Sequence, residues 1–93
     1  MIKSFKHRGL KIFWNTGSSS SVKPELKDAT TRKLDMLNAA NALKDLRSPP
    51  GNRLHPLRGD RKGQWAISVN GPWRLCFRFE DGHIYDVELL QYH

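Results

Sequence analysis

The 93-residue chain carries sixteen Lys and Arg against nine Asp and Glu, a net charge of +7, which selects polyanionic partners: RNA, DNA, the ribosome or an acidic membrane surface. That length supports one small domain over residues 1–93 and leaves no room for a second catalytic unit, while 38% hydrophobic content is rich enough for a packed core. No apolar run approaches the ~18 residues of a membrane span, and the opening Met1-Ile2-Lys3-Ser4-Phe5-Lys6 lacks the apolar core of a signal peptide. Cys76 is the single cysteine, which excludes an intrachain disulfide and suits a small core residue in a reducing cytoplasm.

The alternation in Ile2-Lys3-Ser4-Phe5 predicts a short first strand, and the compact apolar cluster Leu10-Lys11-Ile12-Phe13-Trp14 a short helix. Gly17 and the serine run 18–21 then read as a flexible surface loop. Pro24 and Glu25 suit the positive end of a helix predicted over about Pro24 to Leu46. Leu26, Ala29, Leu37 and Ala40 form its apolar stripe, flanked by Leu34, Met36 and Leu43. Such a stripe is far more often core than a cofactor box. Ser48-Pro49-Pro50-Gly51 bars any continuation of the helix.

Residues 47–63 read as a long loop with Arg47, Arg53, Arg58, Arg61 and Lys62 around His55, either a solvated basic loop or a functional one. From Gln64 the pattern turns to period two, with hairpin turns at Asn70-Gly71 and Asp81-Gly82 and hence a three-stranded meander. Trp65, Ile67, Val69, Trp73, Leu75, Phe77, Phe79, Tyr85, Val87 and Leu89 fall on the face that helices cover. Opposite parity places Gln64, Ser68, Arg74, Arg78, Asp86 and Glu88 on an uncovered face. Continuing the last strand brings Tyr92 there, with His93 at the chain end.

RNA carries its own nucleophile, the 2′-hydroxyl, so a nuclease needs only a base, an acid and a cation to hold the phosphorane. Imidazole suits both proton transfers and the guanidinium fork suits the phosphate. His55, His93 and Arg74 would divide that work, with Arg58 as a second phosphate contact and Tyr92 as proton donor or stacking surface. His7, His55, His83 and His93 have no metal-ligand spacing, and neither a phosphate-cradling glycine loop nor a nucleophile elbow occurs.

Leu54-His55-Pro56-Leu57-Arg58-Gly59-Asp60-Arg61, Trp65-Ala66-Ile67-Ser68-Val69-Asn70, Trp73-Arg74-Leu75-Cys76-Phe77 and the terminal Tyr92-His93 together resemble HigB-type toxins of the RelE/ParE superfamily. The stretches Ile2-Lys3-Ser4-Phe5-Lys6-His7 and Asp45-Leu46-Arg47-Ser48-Pro49-Pro50-Gly51-Asn52 also look like the GraT-like members of this branch, so the likeness spans nearly the whole chain in order. The resemblance implies a RelE-like α+β domain, an antiparallel sheet of a short N-terminal strand and the C-terminal meander, packed on one face by two N-terminal helices. It further implies a cytoplasmic type II toxin that cuts A-site mRNA on the ribosome without metal or cofactor. Its expected partners are a HigA-like helix-turn-helix antitoxin, the ribosome with its mRNA and rRNA, and operator DNA only through the toxin–antitoxin complex.

Carried over by position, the resemblance makes His55, Arg74, Tyr92 and His93 catalytic, with Gln91 standing where relatives commonly have aspartate. Glutamine accepts a hydrogen bond but is no base, so slower cleavage is expected unless the terminal carboxylate of His93 substitutes. Arg53, Arg58, Arg61, Lys62 and Arg78 are the expected RNA contacts. A ParE-like gyrase inhibitor and a ribosome or RNA binder without turnover are the alternatives on the same scaffold.

Overall fold

The computed structural model describes residues 1–91; the expected site residues Tyr92 and His93 lie outside them. Helix α1 (Arg8–Thr16) buries Leu10 and Phe13 on one side and stops at Gly17, whose left-handed φ of 77° lets its N–H donate to the Phe13 carbonyl at 2.7 Å. A Cβ on Gly9 would lie 1.9 Å from Ser21 Oγ, so the serine run packs against α1 at a point where only a bare backbone fits.

Helix α2 (Lys27–Ala39), entered through a 3-10 turn at Pro24–Leu26, is shorter than the predicted Pro24–Leu46 helix. Ala40 turns extended, and the Asn41 and Ala42 N–H groups donate to the Asp45 carboxylate at 3.0 and 3.1 Å, starting a separate 3-10 turn at Leu43–Leu46. This local capping outcompetes continuation of the helix. The two N–H donors hold the Asp45 carboxyl below its usual range. A lowered folded pKa stabilises above the unfolded value, 3.8, and the contribution is lost as pH falls through the folded one. The melting temperature of Asp45→Ala is therefore expected to fall below the parent's at pH 7. The gap should narrow as the pH is taken below 3.8 in a thermal melt series.

Strands β1 (His55–Pro56), β2 (Gln64–Asn70), β3 (Trp73–Glu80) and β4 (His83–Gln91) form one antiparallel sheet in that order. The predicted N-terminal strand is instead a segment running parallel to β4, bridged to it at Ile2–Ile84 and Phe5–Val87. Nor is 47–63 structureless, because β1 and 3-10 turns at Pro50–Asn52 and Gly59–Arg61 lie within it. Asp81 and Gly82 both take positive φ, 50° and 80°, as a two-residue hairpin requires. In the other hairpin Asn70 still pairs with Trp73, which shifts the turn to Gly71-Pro72.

Both helices cover one face of the sheet, where Leu10, Phe13, Leu34, Leu37, Ile67, Leu75, Phe77, Ile84 and Val87 form the core. Trp65 and Trp73 pack against it, as expected. Tyr85 does not. A bulge sets Asp86 and Val87 of β4 opposite the single residue Phe77, so Tyr85 pairs with Arg78 and joins the uncovered face while Ile84 takes the core position. Asp86, at φ 55°, is held there by the N-terminal segment: its N–H donates to Ser4 Oγ at 2.9 Å.

Candidate active site

Sheet register arranges the face away from the helices in three rows. His55, Ala66, Cys76 and Glu88 form the middle row, one residue from each strand. Gln64, Arg78 and Tyr85 lie on one side of it, and Ser68, Arg74 and Leu90 on the other. His55 thus reaches this face as part of the sheet, through its pairing with Ala66, and needs no loop folded over the top. With strands about 4.8 Å apart and residues rising about 3.4 Å, the His55 and Arg74 backbones stand roughly 12 Å apart, a gap that an imidazole, a phosphodiester and an extended arginine fill.

The His55 ring is oriented by its own loop. Nδ1 sits 2.7 Å from the Arg53 carbonyl, which can only accept, so Nδ1 carries the proton and Nε2 is the nitrogen available for proton exchange. Arg53 presents that carbonyl from a left-handed conformation, φ 49°, at the end of the Pro50–Asn52 turn. His55, Pro56, Leu57, Arg58 and Arg61 line a groove, with Arg58 exposed at its rim and Lys62 exposed beyond Arg61. Arg74 is half-buried, with Nη1 3.4 Å from Ser68 Oγ.

Two further expected site residues lie where strand parity puts them, but in surroundings of their own. Gln91 pairs with Trp73, and cross-strand partners share a face, so the register sets it on the side opposite Arg74. Arg78 is on the expected face but bound to carboxylates, with Nε 2.8 Å from Asp86 Oδ2 and Nη1 on Glu80. Its guanidinium lies 5.7 Å from the Tyr85 ring centroid.

Sequence reasoning missed two residues that build the site. Asn52 is wholly buried; its Nδ2 donates to the Leu46 carbonyl at 3.1 Å and the Ser48 carbonyl at 3.4 Å, and its Oδ1 accepts from Lys33 Nζ on α2. Burial, with Arg32 adding to it, draws the Lys33 ammonium below the usual lysine range. The amide ties the loop before His55 to α2, and only its position after the Pro-Pro-Gly turn hinted at a structural role. Asn52→Ala strands these partners and is expected to cost about 1–3 kcal/mol of stability in urea unfolding, with cleavage slowed as His55 loses its fixed position.

The second is Glu88. Parity placed it on an uncovered face, yet it is 1% exposed and its carboxylate meets Lys6 Nζ at 3.6 Å, His7 Nε2 at 3.3 Å and Arg61 Nη1. Arg61 Nη1 also donates to Gln64 Oε1 at 3.2 Å, so one nitrogen joins a side chain of β2 to one of β4. In the same row Ala66 and Cys76 are buried, and burial pushes the Cys76 thiol up from its usual range. Among the described residues no cluster of three His, Cys, Asp or Glu side chains is arranged to hold a metal, and no helix is long and apolar enough to cross a membrane.

In both fold and sequence the chain resembles known proteins. Its structure is similar to two crystal structures of YafQ from E. coli, one of them a mutant, at TM-scores of 0.64 and 0.55 with 16% and 19% identity, each covering 98% of this chain and 91% of the other; these show the fold. Endoribonuclease HigB of Proteus vulgaris is 39% identical over 93 residues, the full length of both chains. Toxin HigB-1 of Vibrio cholerae serotype O1 is 41% identical over 83 residues, 88% of this chain and 87% of that one. A family profile described as the RelE-like toxin of the type II toxin-antitoxin system HigB matches residues 3–93. The chain therefore belongs to the HigB-like family of RelE-like toxins, the toxic half of type II systems whose other half is an antitoxin partner.

Proposed function

We propose that the protein is an mRNA endoribonuclease that acts on translating ribosomes and uses the RNA's own 2′-hydroxyl as nucleophile, with no metal or cofactor. The observation that supports this reading is the contact of His55 Nδ1 with the Arg53 carbonyl, which leaves Nε2 for proton exchange on a groove residue that shares its lining with Arg58 and Arg61 and its sheet face with Arg74. In the reaction, His55 takes the 2′-hydroxyl proton as the 2′-oxygen attacks phosphorus. Arg74 and Arg58 hold the phosphoryl oxygens while charge builds on them. As the bond from phosphorus to the 5′-oxygen breaks, the terminal pair Tyr92 and His93 returns a proton to that oxygen. The products are a 2′,3′-cyclic phosphate and a 5′-hydroxyl. Gln91 receives no proton-transfer role here.

Arg53 and Lys62 extend the basic surface for mRNA and rRNA phosphates, an attraction that weakens with salt. The antitoxin would be a HigA-like helix-turn-helix protein that binds operator DNA for the complex, and the toxin would act in the cytoplasm. The test is incubation of the purified protein with a stalled ribosome and end-labelled mRNA. Fragments ending in a cyclic phosphate, formed only when the ribosome is present, are expected. Binding without cut products would make the protein an RNA binder, and DNA damage with intact transcripts on expression would make it a gyrase inhibitor.

A further inference from the structure

Arg61 is a groove residue whose guanidinium is held from two strands. It starts from the Gly59–Arg61 turn, and its Nη1 meets both Gln64 of β2 and Glu88 of β4. Glu88 is where this arrangement is set. It is 1% exposed although it faces away from the helices, and a carboxylate is stable at such a site only when ion-paired. Its three partners come from separate parts of the chain: Arg61 from the basic loop, Lys6 from the segment alongside β4, and His7 from the start of α1.

Resting on the nuclease function proposed above, we infer that Glu88 is a positioning residue. It holds Arg61, with Lys6 and His7 beside it, as a preformed cationic bracket on the same face as His55 and across the middle row from Arg74, for the phosphate of the RNA strand being cut. The middle row supports this placement. His55 and Glu88 are its two ends, about 14 Å apart at three strand spacings, and the Arg61 guanidinium meets the Glu88 end and Gln64 in the adjoining row while the Arg61 side chain lines the groove with His55. One carboxylate serves three basic groups, so the cluster keeps excess positive charge toward solvent. Arginine fits this role because one Nη can bond Gln64 and Glu88 while the remaining N–H groups of its planar guanidinium stay available. A lysine would supply the charge without the fixed direction.

A double-mutant cycle read as single-turnover mRNA cleavage on programmed ribosomes tests the inference. Arg61→Ala is expected to lower kcat about 10²-fold with little change in KM, the pattern for losing a preorganised charge. Glu88→Gln, nearly isosteric, should lower it about 10-fold alone and add nothing in the Arg61→Ala background, because Glu88 acts through Arg61. Additive losses would overturn the inference, since a merely structural Glu88 would weaken any variant alike. Should Glu88→Gln fail to fold, Arg61→Lys decides: parental cleavage with that variant overturns the positioning role, and a loss within a few-fold of Arg61→Ala supports it. Nitrogen relaxation at Arg61 Nε gives a readout without activity, expected to be rigid in the parent and mobile in Glu88→Gln; an already mobile Arg61 in the parent overturns the proposal. If the parent itself cuts no mRNA, the nuclease function fails and takes this role with it. Cleavage by the parent with no coupling in the cycle removes Glu88 alone.

Discussion

Replacing His55 by alanine is expected to lower the rate of mRNA cleavage on programmed ribosomes about 10²- to 10⁴-fold, the range for removing a positioned general base. The fold should survive, because the backbone pairing of His55 with Ala66 does not depend on the imidazole and the side chain is only half-buried. His55→Gln should be as slow as His55→Ala, since an amide can hydrogen-bond the 2′-hydroxyl but cannot accept its proton. The check is single-turnover cleavage beside a thermal melt. A well-folded His55→Ala protein cutting at the parental rate would remove this residue from proton transfer.

Arg74→Ala is expected to cost about 10²- to 10³-fold, as for other preorganised charge stabilisers. Arg74→Lys should recover only part of the loss, because a point charge replaces a fork that grips two phosphoryl oxygens. The position makes the prediction specific. Arg74 is central in the sheet, paired with Ser68 and Leu90, so its backbone stays fixed while the side chain is shortened. Full activity in a folded Arg74→Ala protein would contradict the role.

The helices, meander and core were legible because each follows a local period. Leu10 with Phe13, Leu34 with Leu37, and Ile67 with Leu75 and Phe77 are all placed by spacing alone. Spacing fails where a distant segment acts on a strand. Ser4 bonds the backbone of Asp86, 82 residues away, and the resulting bulge reverses the parity of Tyr85, which no count along β4 anticipates. The same count placed Glu88 on the correct face but could not show that Arg61, 27 residues earlier, would cover it. Similarly, the helix predicted to reach Leu46 ends at Ala39, because Asp45 captures two N–H groups. His55, Arg58 and Arg74 stood out by residue type and by the resemblance to HigB-type toxins. Asn52 and Glu88, which hold the loop and the groove in place, look from sequence like an ordinary turn residue and an ordinary surface carboxylate.

The central claim is that this basic face cuts mRNA by proton transfer during translation. Primer extension on a translated message after induced expression, run beside a variant lacking the final residue, His93, tests it most directly. The account predicts new 5′-ends inside the coding region that vanish when translation of that message is blocked and are strongly reduced in the deletion. Intact transcripts in cells expressing the folded parent, or an unchanged cutting pattern without His93, would contradict it.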